Sequence, residues 1–316
     1  MRFIIFILFL FTANIYSQDI FQIKEKTDKY RNFYTPEDVA KKINKDFFTD
    51  KEKVMAVYCW LANNIRYDLE EFYYGANRTN SFSYRTEEEK EQKLKAIDDK
   101  LIAKTLQTRK GICGAYAKTF KRICDYLEIE CEEITGYARF NYQDIGKPRN
   151  STNHAWNSVK LNGKWLYLDA TWGAGHVMNG TWQKSFKSYY FDIPKHRYFK
   201  THFPEKSIWV LRVGRITKEE FYNQPVFLHN FLASDIELIN PKTAILKKDN
   251  NGKVTIQLKN AENHDFLIGF SNTRMAQKPN VITENNITSI TITPPSNAKE
   301  LFLLMNLSSA IQFLID

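Results

Sequence analysis

The chain has 316 residues, of which 43% are hydrophobic and 15% aromatic, so it can bury a large core and is long enough for two domains. This composition excludes an intrinsically disordered protein. The formal net charge is +9, and residues 225–316 add nothing to it because eight basic residues there balance eight acidic ones. An ordinary solvated surface explains the basic excess more simply than an anionic surface or an acidic substrate. We expect no nucleic-acid partner, since no binding motif is visible.

The N-terminal segment, residues 1–17, has the features of a secretory signal peptide. Arg2 precedes an apolar run from Phe3 to Phe11, and the small residue Ser17 ends the segment. The run is too short to cross a bilayer comfortably. We therefore expect cleavage after about Ser17, a secreted or periplasmic location, and no stable membrane insertion of the mature chain. The alternative is an uncleaved N-terminal anchor.

The next hundred residues predict helices on either side of a polar stretch. Thr35-Pro36 is a typical helix start. After Asp50, which can act as a cap, apolar residues recur at helical spacing as far as Ile65. Residues 69–93 are polar and rich in charge, which predicts a surface loop, and helical character returns over residues 94–106.

The stretch R-K-G-I-C-G-A-Y-A-K-T-F at 109–120 places a cysteine between glycines at the start of a helical pattern. At a helix N-terminus, unpaired N–H groups and the helix dipole favour the thiolate of Cys113, and Arg109 and Lys110 push the same way. The same N–H groups can hold an oxyanion formed on a substrate carbonyl. Cys113 therefore predicts a nucleophile; the alternative is a buried, inert cysteine like Cys124.

After a strand predicted over residues 130–137, the chain predicts a β-hairpin around Asn162-Gly163, a favoured type I′ turn. With these two residues in the turn, the positions of paired residues sum to 325, so Trp156 faces Asp169. In this register His154 faces Thr171, and His154 and Asp169 become diagonal neighbours on one face. The aliphatic residues fall on the opposite face, which we expect to pack against the helices.

These features predict a thiol acyl-transfer site. His154 would activate Cys113 as a base, and Asp169 would orient the imidazole and stabilise the imidazolium. Every histidine follows Cys113 in the chain, which excludes a caspase-like order. The third residue is Asp rather than Asn, which disfavours a papain-type assignment.

The remaining cysteines and histidines lack zinc-site spacing, so we expect no metal and no cofactor. At most one disulfide can form beside a free nucleophile, and a Cys124–Cys131 bridge is conceivable. His176, His196 and His202 are predicted to be structural or surface residues.

Four blocks of sequence resemble the transglutaminase-like superfamily, within a region of roughly residues 50–210. They are A-V-Y-C-W-L-A-N-N-I-R-Y-D at 56–68, R-K-G-I-C-G-A-Y-A at 109–117, N-H-A-W-N-S-V at 153–159 and W-L-Y-L-D-A-T-W-G at 165–173. The segment 191–209 resembles the branch that contains kyphoscoliosis peptidase and cytokinesis-type transglutaminase-like proteins.

The resemblance implies an α+β, papain-like fold, with Cys113, His154 and Asp169 as the triad and protein or peptide amides as substrates. Members of the family include hydrolases, cross-linking enzymes and inactive proteins, so the resemblance leaves the reaction open. Gly114 departs from the family, because many relatives carry a polar or acidic residue at that position.

Three further residues are candidates at the predicted site. Gln107, six residues before Cys113, is a candidate second oxyanion donor, although it also fits a helix surface. Trp156 and Trp172 flank the site in sequence, where cleft walls and core packing are equally good explanations.

From about Pro225 the chain changes to short apolar runs separated by Asn, Gly and Pro. Strands are predicted at 254–258, 266–270, 287–292 and 301–305. We predict an antiparallel β-sandwich accessory domain over 225–316, Ig-like in general shape, after a catalytic domain over 18–224. It would pack on the catalytic domain or bind a surface partner. The whole chain is predicted to be an exported cysteine enzyme, and the alternative is a catalytically silent scaffold that holds a surface protein.

Overall fold

The computed structural model describes residues 20–75 and 82–316. The predicted signal peptide lies outside the described residues. No helix in the described part of the chain is both long enough and apolar enough to span a membrane.

The chain divides into two compact units. The first comprises Met1–Thr135 and His154–Ile193, and the second comprises Gly136–Asn153 and Pro194–Asp316. This division by compactness places residues 136–153 and 194–224 with the C-terminal strands. The predicted domains, 18–224 and 225–316, stay a prediction.

The first unit begins with helical residues 20–28. Its helices are α1 Pro36–Asp46, α2 Asp50–Asn64, α3 Leu69–Tyr74, α4 Glu87–Thr108, α5 Cys113–Tyr126 and α6 Ala170–Ala174. Its strands are β1 Arg66–Tyr67, β2 Lys110–Gly111, β3 Cys131–Ala138, which continues into the second unit, β4 His154–Leu161, β5 Lys164–Leu168, β6 Gly175–Met178 and β7 Thr181–Lys184.

Side-chain caps explain where the first helices start. The Thr35 hydroxyl accepts from the N–H of Asp38, as the sequence predicts. For α2 the cap is Thr49 rather than the predicted Asp50. Thr49 and Glu52 form a reciprocal capping box, which satisfies two backbone N–H groups at once and so fixes the start one residue earlier.

The prediction of a loop over 69–93 is wrong at both ends, because α3 and the start of α4 occupy them. Residues 76–81 of that stretch lie outside the described residues. Thr86 caps α4, and the acidic run that follows favours a helix N-terminus through the dipole. Lys93 pairs with Glu89 at 2.6 Å across one turn. The charge run is therefore the solvated face of a helix rather than a loop.

The hairpin forms with the predicted register. The ladder runs from Leu161↔Lys164 to Asn157↔Leu168. The aliphatic face packs on α5, and the Asn157 side chain donates to the carbonyl of Ala117 at 3.0 Å. The predicted pairing of His154 with Thr171 is wrong, since β5 ends at Leu168 and Thr171 lies in α6.

All four cysteines carry free thiols, so the conceivable Cys124–Cys131 disulfide is not formed. These two buried side chains are instead hydrogen-bonded to each other. Burial in this apolar setting strongly raises the pKa of the Cys124 thiol, which makes it an inert core residue.

The second unit contains the helices α7 Lys195–Tyr198, α8 Ser207–Val213, α9 Lys218–Tyr222 and α10 His229–Leu232. Its strands are β8 His202–Pro204, β9 Val226–Phe227, β10 Glu237–Asn240, β11 Ile245–Leu246, β12 Val254–Lys259, β13 Phe266–Phe270, β14 Asn280–Glu284, β15 Ile287–Ile292, β16 Glu300–Met305 and β17 Ser308–Ile315.

Most of these strands build two sheets. One has the order β10-β12-β15-β14, and the other has the order β11-β17-β16-β13 with β9 also paired to β17. Buried and exposed residues alternate along β12, β13, β15 and β16, so one face of each of these strands is apolar core. The pairing is antiparallel except between the short β11 and β17, which are parallel. The α+β class and the strand-rich C-terminal region are confirmed.

Candidate active site

Cys113 is the first residue of α5, as predicted. The preceding residue, Ile112, offers no side-chain hydrogen bond to the helix, so no side-chain cap occupies the first-turn N–H groups of Cys113 and Gly114. The thiol is half-buried. Among the described residues, a Cβ added at Gly114 would meet no heavy atom within 4 Å. The family departure at Gly114 therefore leaves open space at the residue that follows Cys113.

His154, the first residue of β4, is hydrogen-bonded to the Cys113 side chain. Burial raises the pKa of the Cys113 thiol, but the hydrogen bond and charge of His154 and a backbone hydrogen bond from Ala155 outweigh burial and lower that pKa. Arg109, which we expected to assist, donates to the carbonyl of Phe33 at 2.7 Å instead.

The other nitrogen of the imidazole faces Asp169. The distance from His154 Nε2 to Asp169 Oδ2 is 2.7 Å, and Asp169 is fully buried. Burial alone lowers the pKa of His154, but the charge and hydrogen bond of Asp169, together with Cys113, raise it to about 10. With the thiol pKa lowered, this favours a thiolate–imidazolium pair at neutral pH.

The second oxygen of Asp169 is used for structure. Oδ1 accepts from the backbone N–H groups of Thr171 and Trp172 at 2.9 and 3.0 Å, which caps α6. The same carboxylate therefore ends β5, starts α6 and orients His154. Because both its oxygens are engaged, its position is fixed before any substrate binds.

The His154 ring contacts two indoles. Its centroid is 5.8 Å from that of Trp156 and 5.3 Å from that of Trp172. Trp156 is 1% exposed and belongs to the core, whereas Trp172 is half-buried. The two indole faces confine the imidazole and favour its charged form.

Sequence reasoning missed Tyr67. Its Cα pairs with that of Gly111 in the parallel β1–β2 ladder, next to the start of α5. Its ring stacks on Trp182 at 5.7 Å and contacts Phe72 at 5.7 Å. The only sequence signal was its place in the block N-N-I-R-Y-D, because a pairing between distant segments leaves no local pattern.

The roles of the other candidate residues stay open. Gln107 is an exposed side chain in the last turn of α4, so its role as an oxyanion donor stays a prediction. His176 is exposed. His196 accepts from Arg197 at 3.3 Å, and the buried His202 is hydrogen-bonded to Thr201 at 2.7 Å.

The fold places the protein among the α+β proteins with a papain-like core. A thiol at a helix N-terminus, hydrogen-bonded to an imidazole that faces a carboxylate, is an arrangement that can perform thiol acyl transfer.

Residues 37–170 match the family model of the transglutaminase-like superfamily. The chain therefore carries a transglutaminase-like domain, which confirms the resemblance seen in the sequence. Cys113, His154 and Asp169 all lie within the matched residues.

The chain is also similar to known proteins. It is 29% identical to mouse kyphoscoliosis peptidase over 213 residues, covering 66% of this chain and 29% of the mouse protein. It is 27% identical to human kyphoscoliosis peptidase over 241 residues, covering 74% of this chain and 33% of the human protein. The chain thus matches about a third of the length of these relatives. A solved TGase structure is 19% identical, covering 43% of this chain and 32% of its own chain, with a TM-score of 0.29.

Proposed function

We propose that the protein is an exported cysteine enzyme that forms a thioester between Cys113 and the acyl group of a protein or peptide amide. The observation that carries the proposal is the hydrogen-bonded series of Cys113, His154 and Asp169, in which the thiol pKa is lowered. A structural cysteine in an apolar core has the opposite shift, as Cys124 does.

The reaction follows from the geometry. The thiolate attacks the substrate carbonyl carbon, and the electron pair of the carbonyl moves onto its oxygen. The free N–H groups at the start of α5 can hold that oxyanion. The His154 imidazolium gives its proton to the leaving amine, which leaves a thioester on Cys113. His154, now neutral, takes a proton from water or from an attacking amine, so the same site supports hydrolysis or amine transfer.

Two further observations support the coarser parts of the proposal. The superfamily match and the peptidases among the relatives favour a protein or peptide substrate. The signal-like residues 1–17 favour export.

The test uses the mature chain with casein and a labelled primary amine. Mass spectrometry then distinguishes amine incorporation at glutamine from cleavage of the casein chain. We expect one of these products, and we expect it to disappear in Cys113→Ala and after iodoacetamide treatment. Activity that survives in Cys113→Ala would remove the nucleophile assignment. A wild-type Cys113 that electrophilic probes do not label would favour the silent scaffold instead.

A further inference from the structure

We propose that the edge strand β14, Asn280–Glu284, binds a second copy of this chain by antiparallel β-pairing, so that the protein forms a weak symmetric dimer. The inference concerns the second unit and does not depend on the proposed function. It starts from a strand edge in the C-terminal region that is exposed and carries apolar residues on both faces.

The strand β14 ends the sheet β10-β12-β15-β14, so one of its edges pairs with β15 and the other is unpaired within the described residues. All of its residues are exposed, including Val281 at 42% and Ile282 at 52%. Natural proteins usually protect such edges, because a row of free backbone groups beside apolar side chains is a template for further pairing.

The other edge strands of the two sheets are protected against such pairing. β10 contains a bulge and is followed by Pro241. β11 has only two residues, and Gln277 forms a bridge to Ile268 along the outer edge of β13. The ladder between β14 and β15 is regular along its whole length. β14 is therefore the edge that is best suited to receive another strand.

The hairpin turn shows which backbone groups of β14 are free. Both residues of the turn Asn285-Asn286 have positive φ, as a type I′ turn requires, and Glu284 pairs with Ile287 across it. In such a hairpin the closing pair is hydrogen-bonded, and hydrogen-bonded and non-hydrogen-bonded pairs then alternate along the ladder. The N–H and C=O groups of Val281 and Thr283 therefore point away from β15.

Side-chain positions support this assignment and identify the core face of β14. The hydroxyl oxygens of Thr283 and Thr288 are 3.0 Å apart, as expected for the closer, non-hydrogen-bonded pairs. Val281 lies opposite Ile290, whose side chain is fully buried, so Val281 is on the core face of the sheet. Because this core-facing valine is 42% exposed, the described part of the chain leaves the core face open at this edge.

The free groups of β14 are self-complementary. When two copies pair about a two-fold axis through Ile282, Val281 of each copy lies opposite Thr283 of the other. The outward groups of these residues then form four hydrogen bonds between the copies, two in each Val281–Thr283 pair. Ile282 faces its own symmetry mate, so the pairing shields two exposed isoleucine side chains from water.

The charges at the two ends of β14 fit the same register. Glu284 lies opposite the neutral Asn280 of the second copy and diagonal to its Lys278, so opposite charges meet at both ends of the paired strands. Lys278 and Glu284 are both exposed. Within these residues no like charges face each other. A second copy therefore fits this edge better than an extended peptide of unrelated sequence.

The test measures association of the full mature chain by analytical ultracentrifugation, from low micromolar to near-millimolar concentration. A pair of short strands buries less than the about 1,200 Å² at which stable interfaces begin, so we expect a reversible monomer–dimer equilibrium. Val281→Pro removes an outward N–H and leaves the ladder to β15 intact, so it deletes two of the four intermolecular hydrogen bonds. We expect it to weaken association about 30-fold.

Ile282→Lys is a second variant that keeps the backbone of β14 unchanged. It places like charges opposite each other across the two-fold axis and should also weaken association strongly. The matched control is Ile245→Lys, because Ile245 is 46% exposed on the edge strand β11 of the other sheet. This control adds the same charge and should associate like the wild type. Circular dichroism checks that each variant folds.

Cross-linking tests the register. In chains that also carry Cys113→Ala, the remaining native cysteines are buried. Ile282→Cys should form a disulfide with its own symmetry mate under mild oxidation, since directly opposed residues lie within disulfide distance. Val281→Cys should not cross-link to its own mate, which lies two residues further along the paired strand and beyond that distance.

A wild-type chain that stays monomeric over the whole concentration range would overturn the proposal. A dimer that Val281→Pro and Ile282→Lys leave intact would also overturn it, and so would an equal loss in Ile245→Lys. Failure of Ile282→Cys to cross-link in a dimeric chain would show that another surface pairs. A monomer that binds an added extended peptide at β14 would assign this edge to a different partner and would contradict the proposal.

Discussion

Both units of the molecule bury charged side chains, but the two use them differently. In the second unit the Arg197 guanidinium donates to backbone carbonyls of Phe231, Leu232 and Ile236. Arg139 likewise donates to the carbonyls of Gln224 and Lys200. In the first unit the buried Asp169 binds His154, which binds a partly buried thiol.

The difference shows what separates a structural buried charge from a reactive one. The two arginines donate hydrogen bonds to backbone carbonyls, so their buried charges stabilise the loops that carry those carbonyls. The His154–Asp169 pair ends at the thiol of Cys113, the proposed nucleophile, and a side chain at the next residue, Gly114, would enter open space. A buried charge that contacts only backbone groups therefore indicates a contribution to stability. A buried charged pair that contacts an accessible reactive group indicates a functional site.

The largest effect should come from the reactive end of that series. Cys113→Ala should reduce turnover by a factor on the order of 10⁶, because loss of a covalent nucleophile leaves only binding and oxyanion stabilisation. Its melting temperature should stay close to that of the wild type, since the change removes one sulfur atom from a partly buried position. Amine incorporation and casein cleavage measure the turnover. Wild-type activity in this variant would place the chemistry elsewhere.

The opposite end of the series, Asp169, should give the next largest effect. Asp169→Asn keeps an oxygen to cap α6, but its amide donates to His154 and favours the wrong tautomer. We expect turnover to fall about 10⁴-fold with the fold retained, as happens when the carboxylate of a triad becomes an amide. Iodoacetamide labelling at mildly acidic pH should fall as well. A variant that turns over normally would show that Asp169 only caps the helix.

The second unit should respond in stability instead. Arg197→Met leaves three buried carbonyls without their donor, which we expect to lower the free energy of unfolding by about 3 kcal/mol. Urea unfolding of the full chain measures this loss. Cys113 alkylation in the folded variant should keep its wild-type rate. A large loss of alkylation without loss of stability would break the distinction between the two kinds of buried charge.

The smallest effect is a change in pH dependence. The lowered pKa of Cys113 keeps the thiolate present below the ordinary range of a cysteine, so turnover should persist at mildly acidic pH. Above a pH of about 10 His154 loses its proton, and turnover should fall because the leaving amine is no longer protonated. Cys59 supplies the comparison, because burial raises its pKa and should leave it unlabelled. Turnover that rises steadily to high pH would argue against the pair.

Much of the site could be predicted because short stretches of sequence determine where its residues lie. Asn162-Gly163 fixes the hairpin register within one turn, and glycines mark the start of α5. The end of β5 was not predictable, since alternation continues past Leu168 and only the capping bonds of Asp169 show that a helix begins.

Other features depend on long-range or competing effects. The start of α4 has the composition of a loop, but its cap and its ion pairs stabilise a helix there. The place of Tyr67 depends on pairing between segments more than forty residues apart, which no periodicity reports. In the C-terminal region four apolar strands were predicted, but β17 was missed, and so was β14, all of whose residues are exposed.

The account depends most on a thiolate at Cys113 held by the imidazolium of His154. The ultraviolet absorbance of the thiolate, measured against pH as the difference between the wild type and Cys113→Ala, tests this directly. We predict a thiolate signal already present at neutral pH, which moves to the range of an ordinary cysteine in His154→Ala. A wild-type signal that appears only in that ordinary range would contradict the account.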